Sequence, residues 1–273
     1  MGLFFNYDRP GPGIDKNAPK KQGVFLFFEL LGRNLRKLTL ANMLYFAVSL
    51  PVLVIYYMII SLFLGGVIPD AVGSMEFVIL AVILTVLIGI LWGTGPASSG
   101  YTYILRNAVR EEHTFLTSDF FEKAKEGFWH GLLFLIVDIV MLVVFFISVL
   151  TYWRLSAKFG GMYTILLFLS GILVALYTIM HFYLYEMEVT FQDGVIKLYK
   201  NSFLMSFATM PMCFVIAILI ITITYAVLSI FTPIAVVLVA FFIWISLMRF
   251  MVDFYTARVI KKNILSRYEQ TDE

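Results

Sequence analysis

The sequence predicts an all-α integral membrane protein: a six-helix transmembrane bundle built from three modules, each an amphipathic helix followed by a hairpin, with both termini cytoplasmic. Three observations predict it. Of the 273 residues, 61% are hydrophobic and 14% charged, and the mean hydropathy is +0.90, well outside the range of soluble globular chains. Six stretches are long and apolar enough to cross a hydrocarbon core, which takes about 20 residues. Once these are threaded back and forth, lysine and arginine fall almost entirely on one side, the asymmetry that orients membrane proteins.

Residues 1–22 read as a cytoplasmic segment. Their prolines, glycines and charges do not flank a short apolar core with a cleavage site, so the segment is not a signal peptide. The membrane domain is expected over residues 23–260, with spans at 38–64, 76–104, 129–153, 161–187, 208–230 and 233–257. Only Phe231, Thr232 and Pro233 separate the last two, and proline cannot continue the helical ladder, so a tight hairpin is expected there. Residues 261–273 form a cytoplasmic tail. With the N-terminus inside, all but Arg154 and Lys158 of the 20 basic residues lie on the inner side. The outer loops are short, so contacts with anything other than lipid are expected within the membrane or at its cytoplasmic face.

Charged amphipathic stretches precede spans 1, 3 and 5. Phe27, Phe28 and Glu29 align with Phe120, Phe121 and Glu122, and Leu35 aligns with Phe128 and Phe203. Asp119 and Glu122 have the spacing of a helix N-cap and its third-residue partner, so a helix is expected to begin at Asp119. Such helices lie in the interface or cap the bundle from the cytoplasm, either as anchors or as docking surfaces.

The net charge of +2 is too small to imply a nucleic-acid partner. Cys213 is the sole cysteine, which excludes a disulfide framework and a cysteine-based metal site. Glu111, Glu112, His113 and Asp119 carry metal-capable groups without the paired spacing a metal site needs, and no glycine-rich loop carries a phosphate-binding lysine. No cofactor, metal or catalytic residue is expected.

The segment Gly93-Thr94-Gly95-Pro96-Ala97-Ser98-Ser99-Gly100 interrupts an apolar run. Small residues let helix backbones approach closely in lipid, and Pro96 frees a carbonyl that neighbours must satisfy. One reading is a kinked, tightly packed inner end of span 2; the other is a discontinuous helix lining a binding site. Gly95, Pro96, Gly100 and Arg106 are therefore candidates for packing or function. Among intramembrane polar residues, Arg249 and Asp253 are one helical turn apart and can pair. Asp138, in LFLIVDIVMLV, must find a partner on another helix, be protonated or face water. With His181 and Glu186 on span 4 it defines a candidate polar path. Tyr56, Tyr57, Trp92, Tyr101, Tyr103, Trp129, Trp153, Tyr183 and Tyr185 fall near span ends, as an interfacial aromatic belt would.

Several separated motifs agree in order with one family. Gly11-Pro12-Gly13-Ile14-Asp15-Lys16 with Pro19-Lys20-Lys21, Gly95-Pro96-Ala97 through Gly100, Leu105-Arg106-Asn107, Arg110-Glu111-Glu112-His113 and Ser118-Asp119-Phe120-Phe121 resemble the YesL-like family. That is a family of bacterial multi-pass membrane proteins defined as a domain of unknown function, and the resemblance runs over essentially the whole chain. It implies a place in the bacterial cell membrane and an association with ABC importers of complex oligosaccharides, and it transfers no catalytic residue. The expectation is a non-enzymatic accessory protein whose partners are the lipid bilayer and ABC importer permease subunits. The alternative is an independent small transporter or channel with a polar path inside the bundle. Oligomeric state is not legible.

Overall fold

The computed structural model describes residues 23–191 and 193–265. The N-terminal motifs of the family resemblance, the 1–22 segment and the end of the tail lie outside the described residues. Among the described residues ten α-helices run in the order α1 (Gly23–Val67), α2 (Met75–Leu91), α3 (Pro96–Arg110), α4 (Leu116–Glu126), α5 (Phe128–Phe159), α6 (Met162–Thr190), α7 (Val195–Ala208), α8 (Met210–Leu228), α9 (Pro233–Val239) and α10 (Ile245–Ile260). A π-turn, Ala240–Trp244, joins α9 to α10, and a second, Lys261–Leu265, extends α10 into the segment read as tail. Five helical runs are individually long and apolar enough to span a membrane, and the bent pair α2 and α3 brings the total to six. The protein is an all-α membrane bundle.

The expected modules are present with different joints. In the first, the amphipathic stretch and the span are one 45-residue helix, about 67 Å long at 1.5 Å per residue and so longer than a bilayer is thick. No glycine or proline lies between its charged turns and its apolar turns, so nothing ends the helix; Pro51 falls well inside the span. In the second, Gly127 separates α4 from α5, and in the third, Thr209 separates α7 from α8. The end of α1 that carries Arg33 packs on the end of α10, with Phe27 5.2 Å from Phe254 and 5.7 Å from Phe250 between ring centres.

Two boundaries differ from the sequence reading. The helix expected to begin at Asp119 begins at Leu116, and Asp119 sits in its first turn, where Oδ2 accepts from the Phe115 amide at 2.9 Å. The carboxylate still satisfies a free donor at the helix start, but from inside the helix rather than before it. The stretch read as one span over 76–104 is two helices bent by 65°. The expected hairpin at Phe231-Thr232-Pro233 is present, with Pro233 as the first residue of α9, where its missing amide proton is not needed.

Candidate functional site

The break between α2 and α3 organises the interior. With 17 residues α2 is about 25 Å long, so the chain unwinds before it has crossed a 30 Å hydrocarbon layer. Gly93 and Gly95 both take positive φ, +93° and +77°, which other residues adopt only with strain. Pro96 then opens α3 at its first turn. Twelve of the 15 residues of α3 are buried, although the helix is rich in serine, threonine, tyrosine and arginine. A polar helix buried in an apolar bundle is stable only if its neighbours supply hydrogen bonds.

They do so at the break. Tyr56 donates to Gly93 O at 3.2 Å, Tyr45 to Gly89 O at 3.4 Å, and Arg249 Nη1 to Ile90 O at 3.1 Å. The Gly95 amide donates to Tyr185 Oη at 3.1 Å and the Thr94 amide to Ser98 Oγ at 2.7 Å. Thr94 Oγ1 lies 2.6 Å from Ser49 Oγ and 3.0 Å from Tyr45 Oη. These contacts correct one reading of the aromatics. Trp129 and Trp153 are exposed at span ends as a belt requires, but Tyr56, Trp92, Tyr101, Tyr183 and Tyr185 are buried. Their hydroxyls and the Trp92 indole, which donates to Thr178 Oγ1 at 3.0 Å, bond inside the bundle.

Close approach makes the glycines necessary. A Cβ on Gly95 would lie 3.1 Å from Leu135 Cβ and 3.2 Å from Gly131 O, and one on Gly131 would lie 2.7 Å from the Cα of Pro96. A Cβ on Gly100 would overlap the Phe120 carbonyl oxygen and lie 3.3 Å from Ala124 Cβ. Both sequence readings of this segment therefore hold in part: the helix is discontinuous, and the discontinuity is closely packed.

The candidate polar path divides into two clusters. Asp138 on α5 accepts from Tyr177 Oη at 2.6 Å and lies 2.8 Å from His181 Nε2, while His181 Nδ1 lies 2.9 Å from Tyr177 O, all within the α5/α6 pair. Trp92 packs over His181 at 5.9 Å. Glu186 belongs elsewhere. It is 4.0 Å from Arg110 Nη2 and interacts electrostatically with Arg106, Arg249 and Asp253. Arg106 donates to Val189 O at 2.8 Å and Thr190 Oγ1 at 3.1 Å, the last turn of α6, where carbonyls are free and cations favourable. The expected pair on α10 forms, with Arg249 Nε 3.5 Å from Asp253 Oδ1 and both side chains buried. Both oxygens of Glu186 and of Asp253, Nε and Nη2 of Arg110 and Nη2 of Arg249 find no hydrogen-bond partner among the described residues.

Outside the bundle, Arg33 donates to Glu111 at 2.8 Å, joining α1 to the end of α3. On α4, the Lys123 ammonium is held above its ordinary pKa by its hydrogen bond to Glu126 Oε2 at 2.6 Å. Tyr177 was not legible as a partner of Asp138, although its place one turn before His181 is the signal that could have shown it. Arg110 was quoted as part of a motif, but its link to Glu186 depends on how α3 lies against α6.

A cavity of about 590 Å³ opens between α2, α5, α6 and α8, lined by Leu87, Trp92, Phe145, Thr178, Phe214 and Ala217 among others. Its lining is apolar, apart from the mutually bonded Trp92 and Thr178.

Compared with known proteins, residues 77–149 match the model of a family described as a protein of unknown function, DUF624. The matched segment begins in α2, contains the break, α3 and α4, and ends in α5, so it encloses Gly95, Pro96, Gly100, Arg106 and Asp138. No curated protein matches the chain. No solved structure matches it either.

Proposed function

We propose that this chain is a non-enzymatic accessory protein of the bacterial cell membrane, of the YesL-like type, that works beside the permease subunits of an ABC-type oligosaccharide importer. One observation carries the non-transporting half of this reading. In transporters a discontinuous helix leaves freed backbone groups for the substrate or ion; here five backbone groups around the break, the carbonyls of Gly89, Ile90 and Gly93 and the amides of Thr94 and Gly95, are bonded by Tyr45, Arg249, Tyr56, Ser98 and Tyr185 of the same chain. The break serves packing. The importer as partner rests on the motif resemblance and is an argument by analogy. The exposed aromatic residues at the end of the bundle that the charge asymmetry assigns to the cytoplasm, Phe28, Phe115, Phe121 and Trp129, fit a protein whose contacts lie in the interface and along its sides.

A second reading, an independent transporter, draws on the polar atoms of Glu186, Asp253 and Arg110 that lack hydrogen bonds among the described residues. Buried polar atoms of this kind are ordinarily satisfied by water, and a hydrated pocket near one membrane face is where a path would begin. The test is purification of the tagged chain from native membranes in mild detergent. Recovery of permease subunits, with loss of growth on one complex carbohydrate in a deletion strain, supports the accessory role. Recovery of the chain alone with unimpaired growth argues against it.

A further inference from the structure

The π-turn Ala240–Trp244 is gripped by a residue of another helix. A π-turn is one residue too many for the α-helical ladder, and it leaves carbonyls without their usual donors. Asn42 on α1 is buried, and its side chain bonds both the turn and the start of α10: Nδ2 donates to Ala240 O at 2.6 Å and Phe241 O at 2.7 Å, and Oδ1 accepts from the Ser246 amide at 2.6 Å. Ser246 Oγ donates to Leu38 O at 2.8 Å and lies 2.7 Å from Tyr101 Oη, so α1, α3 and α10 meet at this point. Just beyond, α10 carries Arg249 and Asp253 into the ionic cluster with Glu186.

We propose that the π-turn is a two-register joint and that Asn42 is the positioning residue that holds it in the register seen here. If the extra residue anneals into regular α-helix, every later residue takes the place of its successor. Met248 then occupies the site of Arg249 and Val252 that of Asp253. The two charged side chains turn by about 100° around the helix axis, since 3.6 residues make a turn. The carbonyls that Asn42 satisfies regain backbone donors in that register, so the joint has two bonded states, and the Asn42 amide selects between them. Span 6 thereby couples α1 to the ionic cluster, independently of whether the chain is an accessory protein or a transporter.

The register can be read with spin labels in the full-length chain, in a Cys213→Ser background, at Lys125→Cys on α4 and Lys261→Cys beyond α10, both on exposed residues. The present register gives one distance. Asn42→Ala should add a second population displaced by about 9 Å, the chord of a 100° turn at a side-chain radius of about 6 Å. Deleting Phe242, an exposed residue of the π-turn, removes the extra residue and should return the Asn42→Ala chain to the single original distance. If Asn42→Ala is not recovered folded, Asn42→Ser is measured in its place, because its hydroxyl can bond only one of the two carbonyls. A single unchanged distance in the substituted chain, whatever its melting temperature, overturns the proposal, as does a second population that survives deletion of Phe242.

Discussion

Replacing Gly100 with alanine adds one methyl group where two helices touch. The added Cβ would overlap the Phe120 carbonyl oxygen, lie 3.1 Å from its carbon and stand 3.3 Å from Ala124 Cβ. Carbonyl oxygen and carbon are backbone atoms of α4, so no side chain can rotate away, and α3 and α4 must separate. Overpacking of this kind costs about 1–3 kcal/mol. At roughly 2–4 °C per kcal/mol for a chain of this size, melting should fall by roughly 2–12 °C. The assay is the fraction of monodisperse protein after heating in detergent, compared with Gly171→Ala, where an added Cβ meets nothing within 4 Å. That control, in an exposed helical position, should match the original or exceed it slightly, because alanine favours helix over glycine. Equal melting for Gly100→Ala and the original, or an equal loss in the control, would refute the close packing of α3 on α4.

Removing His181 by His181→Ala leaves Asp138 bonded only to Tyr177, and breaking such a buried pair costs about 3–5 kcal/mol. Asp138→Ala with His181→Ala should cost less than the sum of the single changes, measured as a double-mutant cycle of heat inactivation. Arg249→Met strips Asp253 of its ion-pair partner and the Ile90 carbonyl of a donor, and a loss of about 3–5 kcal/mol is expected; adding Asp253→Leu should restore part of it, and failure to do so would dissociate the two residues. For topology, in a Cys213→Ser background a cysteine at Ser74 should react with an impermeant thiol reagent applied outside intact cells, and one at Asn263 should not. The reverse pattern contradicts the charge-based orientation.

The spans were legible because each depends on the apolar content of a whole stretch, and the charge asymmetry is large. The pairing of Arg249 with Asp253 was legible for a similar reason, since one helical turn fixes both on the same face. For Asp138 the sequence left three outcomes open, a partner on another helix, protonation or water, and Tyr177 and His181 become its partners only when α5 and α6 lie side by side. The Gly93–Gly100 segment announced a disturbance without its form. Whether glycine and proline kink a helix or break it depends on donors such as Tyr56 and Tyr185, which are remote in sequence and looked like belt residues. Asn42 carried the weakest sign, a single amide in an apolar run. Its role depends on a π-turn some 200 positions away, which no local pattern near residue 42 reveals.

The measurement that most directly tests the central claim is reconstitution of the purified chain, by itself, into sealed liposomes, followed by assays of proton, sodium and labelled oligosaccharide flux. A non-transporting accessory protein predicts flux no greater than in protein-free liposomes, with Asp138→Asn indistinguishable from the original. Flux above that background which disappears in Asp138→Asn, while the variant stays monodisperse, would contradict the account and make the chain a transporter.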